Sequence, residues 1–184
     1  MKKTTFTLIA VCVLSVAAAA QIPSGNVFIG YSYLRADAFS QSSSLQPVTR
    51  TANFNGWEGS VEGKFLPFIG IAADVSQTYG SGTFISSTQT VNSRILTVAV
   101  GPRVSVHAGR FTLFAHALFG GAHITDSGAT SNSDTSFATA IGGGLDYKFI
   151  KGVAWRFQGD ALHTDFFGAG ENNLRLSTGV VLRF

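Results

Sequence analysis

Apolar residues recur at every second position along about eight segments of this chain, and this alternation constrains the fold more than any other feature. A period of two is typical of a β-strand with one apolar and one polar face. The predicted strands are Asn26 to Arg35, Ala52 to Phe65, Phe68 to Tyr79, Arg94 to Val106, Arg110 to Ala122, Ser136 to Phe149, Val153 to His163 and Asn172 to Phe184. The sequence therefore predicts an all-β protein.

The connections between these segments alternate between tight and long. The tight ones are near Leu66-Pro67, His107-Ala108-Gly109 and Ile150-Lys151-Gly152, and the long ones are Ala36 to Thr51, Gly80 to Ser93, His123 to Thr135 and Thr164 to Glu171. Tight turns join antiparallel neighbours, so this order is typical of an up-and-down sheet. One end of that sheet has short turns, and the other carries loops.

Sorting the strand residues by parity separates bulky apolar side chains from ionisable ones. One parity holds most of the branched and aromatic residues and carries no charge in the middle of the strands. The other parity holds many Gly, Ala and Ser residues together with the charges. We predict that these charges form a network: Glu58, Glu62, Lys64, Asp74, Arg103, Asp146, Lys148, Arg156, Asp160 and Arg175, with Arg183 at the end of the last strand.

The size of the side chains indicates which face is inside. The interior of an eight-stranded barrel is barely wide enough for side chains, so the parity with the small residues must face inward. The bulky apolar parity then faces lipid, where a charge at the bilayer midplane costs roughly 2 to 4 kcal/mol. Closing the sheet pairs every backbone group in hydrocarbon. We predict an eight-stranded, antiparallel, up-and-down transmembrane β-barrel; a soluble exported binding barrel is the alternative that fractionation would separate.

The first residues have the pattern of an export signal. Lys2 and Lys3 precede an apolar stretch that ends at Ala20, which predicts a signal peptide over residues 1–20 and a barrel domain over 21–184. Of the 13 Lys and Arg residues, loss of Lys2 and Lys3 leaves 11 against 10 acidic ones, so no nucleic-acid partner is expected. The only cysteine, Cys12, lies in the signal, which excludes disulfides and thiolate sites from the mature chain.

The signal peptide, the eight segments and the C-terminal residues together resemble the small outer-membrane β-barrel family of bacteria. This family includes the transmembrane domain of OmpA, OmpX and opacity-type proteins. The closing pattern is the most specific part of the resemblance: Leu174, Leu176, Thr178, Val180, Leu182 and Phe184. The resemblance implies that Leu176, Val180, Leu182 and Phe184 form a signal read by the barrel-assembly machinery. It further implies periplasmic chaperones and outer-membrane lipids as partners, periplasmic tight turns and outward-facing loops.

The expected function is a structural or surface-interaction role in the outer membrane, by a monomer with its lumen plugged by the charge network and without catalysis or cofactor. A small passive, porin-like channel is the main alternative. A lipid A-modifying enzyme is a further alternative, since His163 ends a strand beside a loop; such an enzyme needs a hydroxyl within hydrogen-bond reach of the base. The spacing of His107, His116, His123 and His163 matches no metal-ligand motif.

Overall fold

A computed structural model describes residues 24–40, 48–83, 90–127, 132–166 and 169–184. The predicted signal peptide and the serine-rich part of the first long connection lie outside these ranges. The strands are β1 (Ser24–Ser40), β2 (Val48–Lys64), β3 (Ile69–Thr83), β4 (Thr90–Ala108), β5 (Phe111–Ser127), β6 (Asn132–Ile150), β7 (Val153–Phe166) and β8 (Ala169–Arg183). The described residues include no helix that is long and apolar enough to span a bilayer.

Each strand pairs antiparallel with the next one along the chain, and β1 pairs antiparallel with β8, which closes the sheet into a barrel. The predicted fold class is therefore confirmed. At the closing seam, Gly25 and Phe184 exchange two backbone hydrogen bonds, of 3.0 and 3.1 Å. Closure leaves no open sheet edge in the spanning region, as hydrocarbon requires.

Several strands continue past the predicted bounds on the loop side. β1 runs to Ser40 rather than Arg35, β4 begins at Thr90 rather than Arg94, and β5 ends at Ser127 rather than Ala122. Beyond the bilayer, backbone pairing persists while the outward side chains no longer need to be apolar. The alternation therefore fades before the strand ends, and sequence periodicity underestimates strand length there.

The other end of the barrel is trimmed by tight turns. Gly109 and Gly152 have φ angles of 62° and 85°, in the left-handed region that favours glycine. A short bend over residues 65–68 joins β2 to β3. All three tight connections predicted from the sequence occur. They lie at the same end of the barrel, around one mouth of the lumen.

The two side-chain parities lie on opposite faces of the barrel wall. Ile71, Val98 and Phe157 are among the large apolar side chains that point outward, with exposed fractions of 49%, 50% and 59%. Asp74 and Arg175 are among the charged residues that point inward and are buried. The buried charged side chains of the described strands are therefore concentrated in the lumen.

Candidate functional site

Arg175 is the centre of a buried ion-pair cluster in the lumen. Its Nη1 donates to Asp74 Oδ1 at 2.8 Å, and its Nη2 and Nε donate to Asp160 Oδ2 at 2.7 and 3.0 Å. Its Nε also lies 3.5 Å from Glu58 Oε2. These four side chains come from β8, β3, β7 and β2 and are at most 1% exposed. One guanidinium group therefore contacts three carboxyl groups brought from across the barrel.

His116 and Gln158 extend this cluster toward Arg103. His116 Nε2 lies 2.8 Å from Asp160 Oδ1, and its Nδ1 lies 3.3 Å from Arg103 Nη2. Because a guanidinium can only donate, Nδ1 accepts, and the His116 proton is assigned to Nε2, which donates to Asp160. Gln158 Nε2 donates to Glu58 at 2.8 Å and to Asp160 at 2.9 Å, and its Oε1 accepts from Arg103 at 3.3 Å. His116 and Gln158 thus link the Arg175 cluster to Arg103.

A second cluster lies nearer the tight-turn end. Arg156 donates through Nε and Nη2 to both Asp146 oxygens, at 2.7 and 3.0 Å, the bidentate arrangement expected of a strong pair. Arg183 Nη2 donates to Asp146 Oδ2 at 3.0 Å. Asn26 donates to Glu62 Oε2 at 2.5 Å and accepts from Arg156 Nη2 at 3.3 Å. Asp146 is therefore shared by two arginines.

Phe114 lies between the two clusters and contacts their arginines. The Cζ atoms of Arg103 and Arg156 are 4.1 and 4.5 Å from the Phe114 ring centroid. Arg156 also lies 5.0 Å from the ring of Phe28, and Arg103 Nη1 is 3.4 Å from Glu62 Oε2. Aromatic faces attract desolvated cations, so these rings stabilise guanidinium groups inside the barrel.

An apolar cluster of buried side chains lies in the lumen, most of it on the loop side of the ion pairs. Its larger members, including Leu34, Leu118 and Leu162, are at most 7% exposed. The cluster consists of Leu34, Phe54, Ala72, Ile95, Ala99, Leu118, Ala122, Ala138, Ala140 and Leu162. Five of its ten members are alanine, as expected for the inward parity, whereas larger inward residues such as Leu34, Ile95 and Leu162 were not predicted from the sequence.

Nine of the ten predicted network residues are enclosed in the lumen or line its mouth, whereas Lys148 lies exposed at the rim of the mouth and does not join the network. Its side chain is exposed, because it lies at the end of β6 beside a register shift between Lys148 and Ile150. Lys64 is half-buried and donates to Ser105 Oγ at 2.8 Å rather than to a carboxylate. Parity identifies the inward face, but the position of a residue along the strand decides whether it is enclosed.

Two network members were missed at the sequence level. Asn26 links Glu62 to Arg156 in the cluster nearer the tight-turn end (the lower cluster), and Gln158 links Glu58 to Arg103 in the Arg175 cluster (the upper cluster). Gln158 has the parity of the charges on β7, and Asn26 has the parity of the small inward residues on β1, so parity was the available signal. Ser177, counted only among the small inward residues, donates a hydrogen bond to Glu58.

His163 lies on the outer face near the loop end, apart from the lumen. Its Nδ1 is 2.9 Å from Asn172 Oδ1, and its Nε2 is 3.5 Å from Asp165 Oδ1. Neither of these side chains carries a hydroxyl group. Within the described ranges, no group of three His, Cys, Asp or Glu side chains is arranged to hold a metal ion.

The residues of the predicted assembly signal lie along β8 and at the chain end. Leu176, Leu182 and Phe184 are 46%, 53% and 59% exposed on the outer face, on the same parity as Val180. The Phe184 ring lies close to Gly25, where an added Cβ would meet Cζ of that ring at 2.7 Å. The signal residues therefore border the β1–β8 seam that closes the barrel.

Comparisons with known proteins agree with this architecture. A family model described as the outer membrane protein beta-barrel domain matches residues 6–184. The crystal structure of Neisserial surface protein A (NspA) has 12% sequence identity and a TM-score of 0.69, covering 87% of this chain and 97% of that chain. The structure of Ail, the attachment invasion locus protein of Yersinia pestis, has 17% identity and a TM-score of 0.58, covering 88% and 98%. The curated protein sequences contain no match.

Proposed function

Because this chain belongs to the outer membrane protein beta-barrel domain family and is an integral barrel of the bacterial outer membrane, we propose that it acts as a closed barrel with a structural or surface-interaction role. Its lumen does not conduct solutes, and its loops are the part available to other molecules at the cell surface. It carries out no catalysis. It works as a monomer and reaches the membrane through the barrel-assembly machinery.

The burial of polar and apolar side chains inside the barrel is the observation that carries this proposal. Two different layers follow each other along the barrel: the joined ion-pair clusters, and the apolar cluster on the loop side. Arg103, Arg156 and Arg175 are each 1% exposed, so the groups that would line a charged channel are enclosed by neighbouring side chains. Aqueous channels are typical of barrels with about 16 strands rather than eight. The alternative of a small channel has no such support.

The contacts of His163 favour a non-catalytic role. The hydrolase alternative needs a base within hydrogen-bond reach of a hydroxyl nucleophile. The hydrogen-bond and ion-pair partners of His163 among the described residues are an amide, Asn172, and a carboxylate, Asp165. This arrangement is sufficient to hold an exposed imidazole at the membrane surface, and we assign no reaction to it.

Planar-bilayer recordings test the closed lumen. We expect the purified barrel to give no discrete conductance steps above the bare bilayer, because both layers of the lumen exclude a continuous column of water. A porin with about 16 strands, inserted under the same conditions, is the positive control. Reproducible unit steps from the purified wild-type protein would contradict the proposal and favour the passive channel.

The terminal phenylalanine tests the assembly signal. We expect Phe184→Ala to lower the amount of folded barrel in the outer membrane several-fold, while protein refolded in detergent keeps nearly its normal stability. Phe149→Ala is the matched control, because Phe149 has a similar exposed fraction, 58% against 59%, near the same end of the barrel. Heat-modifiable gel migration of membrane fractions measures the folded amount. An equal loss from both variants would show that aromatic anchoring, and not recognition of the C-terminus, explains the effect.

A further inference from the structure

Basic residues surround the lumen mouth at the tight-turn end. Strands β2, β4, β6 and β8 run toward this end, and the last lumen-facing residue of each is basic. These residues are Lys64 on β2, His107 on β4, Lys148 on β6 and Arg183 on β8. Because they come from alternate strands of a closed barrel, they are distributed around its axis. We call this set the basic ring.

The exposed charged side chains at this end have one sign within the described part of the chain. Arg110 and Lys151, both exposed in the turns, add to the basic ring. The acidic residues at this end, Glu62 and Asp146, are each only 2% exposed and lie behind the ring. A mouth with charges of one sign and low-dielectric walls concentrates counter-ions. The electrostatics therefore favour an anion at this mouth.

A cavity lies directly inside the basic ring. Its volume is about 150 Å³, enough for a phosphate group or for on the order of ten water molecules. It ends at the lower ion-pair cluster, so it is a vestibule and not a passage. The charged and titratable side chains that line it are Glu62, Lys64, His107, Asp146, Arg156 and Arg183.

The pairing of side chains inside this vestibule leaves one lining cation without a carboxylate partner. The lining side chains include three permanent cations and two carboxylates. Asp146 is divided between Arg156 and Arg183, and the partner of Lys64 is the neutral hydroxyl of Ser105. Arg156 Nη1 is buried without a hydrogen-bond partner. Glu62 Oε1 also lacks one, and ordered water in the vestibule can satisfy it.

We propose that this vestibule is a binding site for a phosphate or carboxylate group that enters from the tight-turn side of the membrane. The family resemblance implies that this side is the periplasm. The group is either part of a soluble anion or the headgroup of an inner-leaflet phospholipid, and the same cations recognise both. The site needs no passage through the lumen, and so it is independent of whether the barrel conducts.

A titration monitored by NMR tests the site. The mature barrel is placed in phosphatidylcholine nanodiscs and titrated with sodium pyrophosphate at constant ionic strength. We expect saturable shifts of the backbone signals of Ser105, His107 and Arg183, while sodium chloride at the same ionic strength gives none. If these signals shift only when phosphatidylglycerol replaces part of the lipid, the source is a headgroup. Absence of a saturable shift with both pyrophosphate and phosphatidylglycerol would overturn the proposal.

Charge variants distinguish local binding in the vestibule from a general electrostatic attraction to this end of the barrel. Lys64→Gln removes a lining cation but keeps a donor for Ser105, and we expect it to weaken binding about fivefold. Lys64→Arg keeps the charge and retains binding. Lys151→Gln removes the same charge from an exposed turn outside the lining and should weaken binding less than about twofold. Equal weakening by Lys64→Gln and Lys151→Gln would overturn the proposal, and heat-modifiable migration verifies that each variant is folded.

Discussion

Replacing Arg175 with methionine is expected to remove a large part of the stability of the barrel. The substitution keeps much of the side-chain volume but removes the one guanidinium that contacts Glu58, Asp74 and Asp160. The three carboxylates would then be buried close together with no direct cationic partner. Removing one partner of a buried ion pair costs about 3 to 5 kcal/mol. Domains are commonly stable by about 5 to 15 kcal/mol, so this loss is a large fraction of the total.

Urea unfolding in lipid vesicles measures this effect, with the fluorescence of Trp57 and Trp155 as the signal. Arg94→Met is the matched control, because Arg94 is exposed on the outer face and its Cζ lies 5.7 Å from the ring centroid of Tyr79. We expect the control to change the free energy of unfolding by less than about 1 kcal/mol. Losses of equal size at the two positions would contradict a central role for Arg175.

A second substitution tests the reason for the loss. Adding Asp160→Asn to Arg175→Met removes one of the uncompensated charges and should restore part of the stability. Residues in one ion-pair network are expected to be non-additive by about 0.5 to 3 kcal/mol. Strict additivity of the two substitutions would mean that the loss comes from packing and not from unpaired charge.

The faces of the strands could be predicted from the sequence because Cβ atoms alternate along a strand. That rule places Asp74 and Arg175 in the lumen and Ile71 and Val98 against lipid. It does not say which inward residues meet, since Asp74 and Arg175 are 101 positions apart in the chain. Their contact depends on the register of all the intervening strands and on the tilt imposed by closure. The alternation of residue types along a strand determines neither the register nor the tilt.

The apolar layer was missed for a related reason. Leu34, Ile95 and Leu162 lie on the lumen-facing parity of their strands, although their identity alone predicts the lipid face. Their positions relative to the charged residues depend on the register between strands, which the alternation does not give. Lys148 shows the reverse case, in which the parity was correct but the residue lies too near the strand end to be enclosed.

The narrow lumen makes a further strong prediction at Gly142, which faces inward on β6 opposite His116 and Asp160. A Cβ added at this position would clash with Asp160 Oδ1 and the carbonyl oxygen of Gly159, and it would lie 2.7 Å from Asp160 Cα. Gly142→Ala must therefore displace the carboxylate that binds Arg175. Overpacking typically costs about 1 to 3 kcal/mol, and we expect a loss at the upper end of that range because an ion pair is disturbed as well.

Gly159→Ala is the matched control on the other face of the wall. A Cβ there has Leu176 Cδ2 as its nearest neighbour, at 3.5 Å, which is an ordinary contact. Replacing glycine by alanine without strain stabilises a protein by about 0.4 to 1 kcal/mol, because the unfolded chain loses freedom. The same substitution should thus have opposite signs at the two positions. Urea midpoints measured at constant m-value report both changes in stability. Effects of the same sign would contradict the tight packing of Asp160 against the backbone at Gly142.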